Sequence, residues 1–478
     1  MTQTCSQRDG DSMRQGRITR RSALLALAVP AMIPSSCSRS EVGNKKVPTE
    51  ARVTAAPIKE PPRDLRPFPP TIEPLVRIKV ADVRSIPEVD FGSAGQRLWI
   101  TAPGTDLPGR ACRGPVRLRR TSTGWSVRWS SGGRGGTAMF KTTGPIAMVR
   151  MDRNEAGIEF EGRRLLGTIQ VEPIRDTEGR TEFDVICHLP MESYLPGVVE
   201  KELYPSWRPA TFEAQAIAAR SFAVCERAFW IRRRHYDMVA GQASQAWTGG
   251  DASARAVSAV RSTAGQLLVW RGQVVPAYYS ASCGGLPANA ADAISKNPVN
   301  GIPPLRAGTG VDRTACGCVT SSPHGDWAVT ISRDAFEKQV AEFGRRKGDR
   351  RLSELRGPLR LEVHRRNQAG RPIDFELAGL GGSPPVLISA ESVRRIVSAA
   401  SAGDSWRARP RSSCFEVEIA KNAMKIRGRG FGHGVGVCQY GAEEMARKGA
   451  SSLQILARYY PGADVEQAWP AEPLGRRV

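Results

Sequence analysis

The stretch that organises this chain runs from residue 191 to residue 220 and reads MESYLPGVVEKELYPSWRPATFEAQAIAAR. A helix is predicted over about 193–202, because Pro196 is tolerated only in the first turn of a helix, where its missing N–H is harmless. The Tyr-Pro-Ser-Trp sequence at 204–207 ends that helix. Three acids lie on this first half of the stretch: Glu192, Glu200 and Glu202.

A second helix is predicted from Pro209 to about Arg232. Apolar residues recur there at helical spacing, and many alanines allow close approach of a neighbouring element. We therefore expect this helix to be central and buried, with Gln215 and Arg220 on different faces.

The sequence before this stretch alternates between apolar and polar residues, and turn signals separate the alternating segments. The sequence after it mixes helical segments with hairpins. The predicted fold class is therefore α+β, with a β-rich N-terminal section over 76–188, a helical core with further hairpins over 189–465 and a tail over 466–478. The strands predicted in the first section are 76–80, 97–101, 116–119, 124–129, 146–151, 158–160, 167–171 and 181–188.

The N-terminus reads as an export signal over residues 1–37. Arg20 and Arg21 precede a short apolar run over 23–33, which is typical of a twin-arginine signal and too short to span a membrane. Ser35-Ser36-Cys37 resembles the end of a lipoprotein box, although Pro34 departs from it, and lipidation of Cys37 stays open. Residues 38–75 are rich in proline and charge, which predicts a disordered linker.

The net charge of +22 indicates attraction to a polyanion such as nucleic acid, anionic lipid or a cell-wall polymer. The basic residues are mostly dispersed arginines, so a bias of the genome explains the charge equally well. Export from the cytoplasm argues against nucleic acid as the partner. Membrane contact is expected only through a lipid on Cys37.

A glycine-rich segment, GRGFGHGVGVCQYGA, occupies residues 428–442. Glycines permit positive φ and close approach of the backbone to a ligand. His433 stands between two glycines, and Gln439 and Tyr440 open a predicted helix, so these three side chains are candidates for substrate binding. A phosphate loop is rejected, because no Lys-Ser/Thr pair follows and no βαβ pattern surrounds the segment.

Both segments resemble the SpoIID/LytB family of stage II sporulation protein D and amidase enhancers. The resemblance rests on ESYLPGVV, the Ser-Trp break, AQAIAARS and the glycine-rich segment. It implies an α+β fold with a long substrate groove. It also implies that Glu202, ten residues after the Glu192 of the ExYL element, is the catalytic acid of a peptidoglycan lytic transglycosylase.

Cleavage of a glycosidic bond needs at least one carboxylic acid to protonate the leaving oxygen. A lytic transglycosylase needs only one, because the 6-hydroxyl of the sugar replaces water. Glu192 is then expected to be structural and Glu200 to be supporting or exposed. Gln215 and Arg220 are expected to orient Glu202 or to bind substrate.

A third segment, YYSASCGG over 278–285, is followed by the Cys316-Gly-Cys318 pair and by His324. Some members of the resembled family hold zinc in this region through Cys and His. Here Cys283, Cys316, Cys318 and His324 are the candidate ligands, but Ser280 stands where zinc-binding members tend to carry His. A disulfide from Cys283 to Cys316 or Cys318 is the rival interpretation, and free thiols are the third alternative. The scattered cysteines, Cys438 among them, are interpreted as buried small residues.

The sequence thus predicts an exported lytic transglycosylase of the cell envelope, which acts on glycan strands, peptide-stripped or not. It needs no cofactor for the chemistry, although a structural zinc ion is open. The alternatives are a non-catalytic peptidoglycan-binding protein or amidase enhancer of the same fold, with wall amidases as partners, and a general binder of anionic polymers.

Overall fold

The computed structural model describes most of the chain after residue 65, with short gaps. The predicted export signal and most of the predicted linker lie outside the described residues. Within the described part, no helix is long and apolar enough to cross a membrane. The described ranges are 66–83, 88–131, 134–151, 157–174, 182–241, 244–247, 249–308, 316–323, 325–357, 359–379, 384–401 and 409–470.

The β-rich section forms a seven-stranded sheet and a four-stranded sheet. Along the strands, buried and exposed residues alternate, as in β3 and β5, so each sheet turns one face to the core. The strands are β1 (Leu75–Val83), β2 (Glu88–Phe91), β3 (Arg97–Thr101), β4 (Arg110–Arg113), β5 (Val116–Thr121), β6 (Gly124–Ser131), β7 (Arg134–Phe140), β8 (Ile146–Arg150), β9 (Ile158–Phe160), β10 (Arg163–Leu165), β11 (Thr168–Pro173) and β12 (Phe183–Pro190).

The strand order of the larger sheet is β13-β1-β12-β11-β8-β3-β4, where β13 is the short strand Met238–Val239. Only β13 pairs in parallel, and the other pairs are antiparallel. The smaller sheet has the order β2-β5-β6-β7, and β9 pairs with β10. Each of the predicted strands is present, which confirms the β-rich section.

Strand β12 leads directly into α1 (Met191–Glu202), which is followed by α2 (Pro209–Trp230). Helix α2 is buried along most of its length, as its alanines predicted, and it packs against α1 and later helices. The start of α1 is a correction, because the helix begins at Met191 and Pro196 lies in its interior. Because proline has no N–H, the carbonyl of Glu192 lacks the hydrogen bond that residue 196 would normally donate to it within the helix.

The remaining elements alternate between helices and short strands. They are α3 (Ala254–Ser262), β14 (Gln266–Trp270), β15 (Gln273–Val274), β16 (Tyr279–Ser280), α4 (Ala290–Ala293), α5 (Cys318–Ser321), β17 (Asp326–Ser332), α6 (Arg333–Lys347), α7 (Arg350–Glu354), β18 (Arg360–Arg366), β19 (Pro372–Ala378), β20 (Val386–Ser389), α8 (Ala390–Ala400), β21 (Phe415–Ile419), β22 (Ala423–Arg429), β23 (Val437–Cys438), α9 (Gln439–Arg447), α10 (Ser452–Tyr459) and β24 (Asp464–Gln467).

Two hydrophobic cores stabilise the described chain. The first joins the N-terminal sheets to α1, α2, α3, α9 and α10. The second lies between β17-β22-β21, β18-β19-β20 and the helices α6 and α8. The sequence predicted one core over 189–465, and it did not predict that residues 327–426 would supply a core of their own.

Both ends of the folded part differ from the predicted boundaries. Arg66 is buried, and its guanidinium donates to the carbonyls of Trp270 and Gln273, so the last part of the predicted linker packs on the core. Strand β24 pairs with β14 and extends past the predicted start of the tail at residue 466. A backbone segment with few apolar residues can therefore still be ordered by hydrogen bonds to a sheet.

Candidate functional site

Glu202 is the last residue of α1, and its carboxylate faces the first residue of α9. Oε2 of Glu202 accepts a hydrogen bond of 3.1 Å from Nε2 of Gln439, and the backbone N–H of Ala246 also donates to this carboxylate. Burial raises the pKa of Glu202, whereas these two hydrogen bonds and the charge of Lys201 lower it. The net pKa is above the ordinary value, as suits an acid that must carry a proton near neutral pH.

A buried network of phenols and an amide flanks this acid. The side chain of Gln245 accepts from the hydroxyl of Tyr194 at 3.1 Å and donates to the hydroxyl of Tyr279 at 3.0 Å. Burial, and then the nearby carboxylate of Glu202, raise the pKa of both phenols. The phenols therefore stay neutral and leave Glu202 as the titrating group of this region.

Aromatic rings line the turn that follows Glu202. The Tyr440 hydroxyl donates to that of Tyr204 at 3.2 Å, and the ring of Trp207 lies 5.1 Å from the ring of Tyr440, edge to face. The Tyr-Pro-Ser-Trp break and the start of α9 thus meet here. The C–H face of a sugar ring and the face of an aromatic ring are both apolar, so the two commonly pack together.

The other two acids of the opening stretch have structural partners. Glu192 forms a bidentate ion pair with Arg220, with distances of 2.9 Å to Nε and 2.7 Å to Nη2. Glu200 accepts from both the backbone N–H and the hydroxyl of Ser253, the residue before α3. The prediction that Glu192 is structural and Glu200 supporting is confirmed.

Arg220 requires a correction. Its side chain is fully buried, and beyond Glu192 it donates to carbonyls of Val260 and Gln266. The guanidinium is therefore occupied by structural contacts, and the structure does not place it on Glu202 or at a surface that substrate could reach. Helical spacing predicts the face of α2 on which Arg220 lies, but it does not predict which carboxylate pairs with its guanidinium.

Gln215 lies on the face of α2 that meets α9. Thr211, one turn earlier on α2, donates to the carboxylate of Glu443 on α9 at 2.9 Å. Gln215 is buried, and within the described residues neither polar atom of its side chain has a hydrogen-bond partner. Its predicted contact with substrate stays a prediction.

The glycine-rich segment is a tight loop between β22 and β23. Glycines at 430, 432, 434 and 436 have φ between 66° and 97°, which favours glycine at each position. At Gly436 a Cβ would overlap the carbonyl oxygen of Tyr278, so only glycine permits this close approach. The loop holds α9 in place against β16.

His433 is part of this loop, and its side chain serves the loop itself. Its Nδ1 accepts a hydrogen bond of 3.0 Å from the backbone N–H of Val435. Burial, followed by the charges of Arg371 and Arg394, lowers the pKa of His433 to about 4. The imidazole is therefore neutral at pH 7, and no described hydrogen bond joins it to Glu202. Its predicted contact with substrate is not tested.

Four buried cysteines meet beside the start of α9: Cys283, Cys316, Cys318 and Cys438. Their sulfur atoms all lie within 4.8 Å of one another, and each cysteine that the structure describes is a free thiol. A tetrahedral zinc site with Zn–S bonds of 2.3 Å needs sulfur atoms about 3.8 Å apart. The separation of 3.6 Å between the sulfurs of Cys283 and Cys318 fits that requirement.

The chemistry of these donors also suits a metal ion. The backbone N–H of Cys283 donates to the sulfur of Cys438 at 3.4 Å, a contact that favours a thiolate. Hydrogen bonds with neighbouring thiols, that of Cys283 foremost, lower the pKa of Cys318, whereas a hydrogen bond with Cys316 raises the pKa of Cys283 and burial raises the pKa of Cys438. A closed set of four cysteines is typical of structural zinc sites, which leave no open position for substrate.

Cys438 is the residue that the sequence missed. It was interpreted as a buried small residue, whereas the structure makes it the fourth member of the cluster. Ser280 lies outside the cluster, and its hydroxyl accepts from the backbone N–H of Gly434 at 3.2 Å. Cys438, and not residue 280, is therefore the fourth potential ligand among the described residues. His324 lies outside the described residues.

Comparisons with known proteins agree with the motifs. The model of the SpoIID family, described as stage II sporulation protein, matches residues 179–270, which include α1 and α2. The stage II sporulation protein D of Bacillus amyloliquefaciens is 24% identical over 324 residues, which cover 63% of this chain and 81% of the relative. An uncharacterized protein of Brachyspira hyodysenteriae is 25% identical over 313 residues, 65% of this chain and 74% of the relative.

The amidase enhancer of Bacillus subtilis is 23% identical over 298 residues, 56% of this chain. The match spans only 39% of that longer relative. The family model and the named relatives, taken with an α1–α2 unit and a glycine-rich loop that meet at Glu202, point the same way: this chain is similar to the SpoIID family, and its residues 179–270 match the model of that family.

Proposed function

We propose that this protein is an exported lytic transglycosylase that cleaves the glycan strands of peptidoglycan. Relatives named stage II sporulation protein D and amidase enhancer support a role at the cell wall. The observation that carries the catalytic part is the environment of Glu202, a carboxyl group with a raised pKa at the meeting point of the two most distinctive motifs.

The same environment favours a transglycosylase over a hydrolase. Glycoside hydrolases use a second carboxylate, whose charge in a shared site would raise the pKa of the first. Within the part of the chain that the structure describes, the groups that shift the pKa of Glu202 include no other carboxylate. Glu192 and Glu200 are engaged by Arg220 and Ser253. A single acid is sufficient when the sugar supplies its own nucleophile.

The proposed reaction uses Glu202 twice. Glu202 first gives its proton to the glycosidic oxygen, and the bond from the anomeric carbon to that oxygen breaks. The 6-hydroxyl of the same sugar then bonds to the anomeric carbon, and its proton passes to the Glu202 carboxylate. The product is a 1,6-anhydro sugar, no water is consumed, and the acid is restored for the next cycle.

Groups near Glu202 are expected to stabilise its carboxylate and to contact the substrate. The Gln439 amide and the Ala246 N–H stabilise the carboxylate that remains after proton donation. Tyr440 and Trp207 are buried and pack on the half-buried ring of Tyr204, which is the ring of this group that a sugar could reach. The net charge of +22 suits an anionic wall polymer as partner, and the predicted export signal would place the chain in the cell envelope.

The test is mass spectrometry of the products that purified protein releases from peptide-free glycan strands. Wild type is expected to release fragments with 1,6-anhydro ends, and Glu202→Gln to lose at least about a hundredfold of that rate, the usual contribution of a general acid. Glu200→Gln is the matched control, since it changes an acid of the same helix that faces Ser253. Equal release by wild type and Glu202→Gln would remove Glu202 from the chemistry.

A second candidate function is stimulation of a wall amidase without catalysis. The similarity to a relative named amidase enhancer favours it. In that case wild type and Glu202→Gln would release no anhydro fragments, yet both would accelerate peptide release from intact wall by a purified amidase. Loss of that stimulation in high salt alone would indicate simple polyanion binding.

We also propose that Cys283, Cys316, Cys318 and Cys438 hold a structural zinc ion. The support is the convergence of four buried thiols at distances that suit tetrahedral coordination. When bound, the ion would supply a cross-link between three distant segments of the chain and take no part in the chemistry. A disulfide within the cluster is the alternative outcome of the measurements described below.

A further inference from the structure

The four-cysteine cluster lies against the helix that carries the partner of Glu202. Cys438 is the residue before α9, and Gln439, the first residue of α9, donates to Glu202. A single peptide bond therefore joins a residue of the cluster to the residue whose side chain bonds to the candidate acid. A shift of the Cys438 backbone would move the Gln439 amide directly.

The cluster also contacts the first turn of α9. At Gly441 a Cβ would overlap the sulfur of Cys316 and the hydroxyl of Tyr459, so glycine is required for this approach. The Cys316 sulfur lies 3.5 Å from the Tyr459 hydroxyl on α10. Cys316 thus lies directly against the first turn of α9.

The segment around Cys318 completes this support. The Ser321 hydroxyl at the end of α5 donates to the carbonyl of Tyr440 at 3.5 Å. The backbone N–H of Tyr440 donates to the carbonyl of Ala281, two residues before Cys283, at 3.1 Å. Three of the four cysteines therefore belong to segments that bond to, or continue into, the first two residues of α9.

We propose that a thiophilic divalent cation bound by the four cysteines positions Gln439 on Glu202, so that metal occupancy sets the state of the candidate acid. The proposal rests on the role proposed for Glu202 above, and it assigns Cys283, Cys316, Cys318 and Cys438 as positioning residues. Metal-bound thiolates fix the backbone at each end of the cross-link. Without the cation the four thiols have no common partner, and the start of α9 is held only by the hydrogen bonds described above, so we expect it to be held less firmly against α1.

The middle of α9 has a separate anchor, so the effect is local. Glu443 is buried and accepts hydrogen bonds of 2.9 Å from the backbone N–H of Arg208 and from the Thr211 hydroxyl. Arg447 adds an ion pair of 2.8 Å to the same carboxylate. Loss of the cation is therefore expected to loosen the first turn of α9 while its last turn stays on α2.

The first experiment measures metal and coordination. The purified full chain is loaded with Zn²⁺ and then with Co²⁺, whose absorption reports the number of thiolates around it. One equivalent of metal and a tetrathiolate spectrum are expected for wild type and for Cys112→Ser, which changes a buried cysteine outside the cluster. Cys316→Ser is expected to lose the tetrathiolate spectrum. A metal-free wild type with a disulfide in the cluster would overturn the proposal.

The second experiment follows Glu202 without any substrate. The ¹³C carboxyl resonance of Glu202, assigned with Glu202→Gln, is titrated in the zinc-loaded and chelated forms. The Gln439 hydrogen bond lowers the pKa of Glu202, so chelation is expected to raise that pKa in wild type. Chelation should leave the pKa unchanged in Gln439→Ala. Equal pKa values in loaded and chelated wild type would overturn the positioning role.

The third experiment separates local loosening from loss of the fold. Amide hydrogen exchange on chelation is expected to accelerate about tenfold or more at 438–441 and to stay the same in β1 and β12, a difference that local opening produces. Uniform acceleration across the chain would mean that the cluster stabilises the whole fold, which contradicts the proposal. These three measurements need no wall substrate, so they can fail or succeed independently of transglycosylase activity.

Discussion

The two ends of α1 carry the same side chain in opposite settings. Glu192 lies in the first turn, where the helix dipole favours negative charge, and Arg220 and the Gly265 N–H hold its carboxylate. Glu202 is the last residue, where the dipole disfavours negative charge, and its described partners are neutral donors. On one helix, ten residues thus separate the Glu192–Arg220 ion pair from a carboxyl group with a raised pKa.

The difference shows what makes an acid useful. A carboxylate that meets a guanidinium in bidentate geometry stays charged and contributes to the fold. A carboxylate that loses water without gaining a cation retains its proton at higher pH, and that proton is available to a substrate. The sequence motif contains both acids, and their environments decide which one can act.

The largest expected effect is the loss of stability when the Glu192–Arg220 ion pair is broken. Arg220→Met leaves Glu192 without its cation in a largely buried place, which costs about 3–5 kcal/mol of unfolding free energy. Chemical denaturation at pH 7 measures it. A double variant with Glu192→Gln should recover part of this loss, because the orphaned charge is removed. A loss below about 1 kcal/mol would mean that the pair is solvated, as surface pairs are.

A smaller effect is expected from removing the amide on Glu202. In Gln439→Ala the carboxylate loses a hydrogen bond, so the pKa of Glu202 rises and the acid stays protonated to higher pH. The alkaline limb of the pH–rate profile should shift upward, while the maximal rate falls roughly tenfold because the acid is less well held. An unchanged or downward-shifted limb would contradict the assigned role of Gln439.

The smallest expected effect is the change in stability caused by Glu202→Gln. The folded pKa of Glu202 is raised, so the folded state holds its proton more tightly than the unfolded state, and stability falls as pH rises from the unfolded pKa to the folded pKa. The glutamine variant lacks this loss and should melt a few degrees higher at pH 7, with little difference at pH 4. Calorimetry at the two pH values checks the sign. A variant less stable at pH 7 would place the charged form of Glu202 among stabilising contacts.

Much of the candidate site follows from local pattern. The two motifs that meet at Glu202 and Gln439, more than two hundred residues apart, were both identified from the sequence, but the hydrogen bond between these two side chains was not predicted. The strands and helices around them were predicted because alternation and helical spacing are local properties. Arg220 was assigned to the wrong acid, since its partner Glu192 is 28 positions away and both candidate acids lie on one short helix.

The cysteine cluster shows the opposite case. Cys316 and Cys318 are two positions apart, and this spacing indicated a possible metal site. Cys438 lies 120 positions after Cys318, in a different motif. No local pattern connects the two. The parallel pairing of β16 with β23 and the glycine loop bring Cys438 beside Cys283.

The sequence by itself determined the fold class and the buried α2 helix and singled out Glu202 as the candidate acid, because periodicity, alanine content and motif spacing belong to contiguous segments. The tertiary structure alone decided which acid is paired with a cation and which is not, that Arg66 of the predicted linker is buried, and that four cysteines converge. Charge pairing and metal geometry depend on distances through space between residues far apart in the chain, and those distances exist only once both cores have formed.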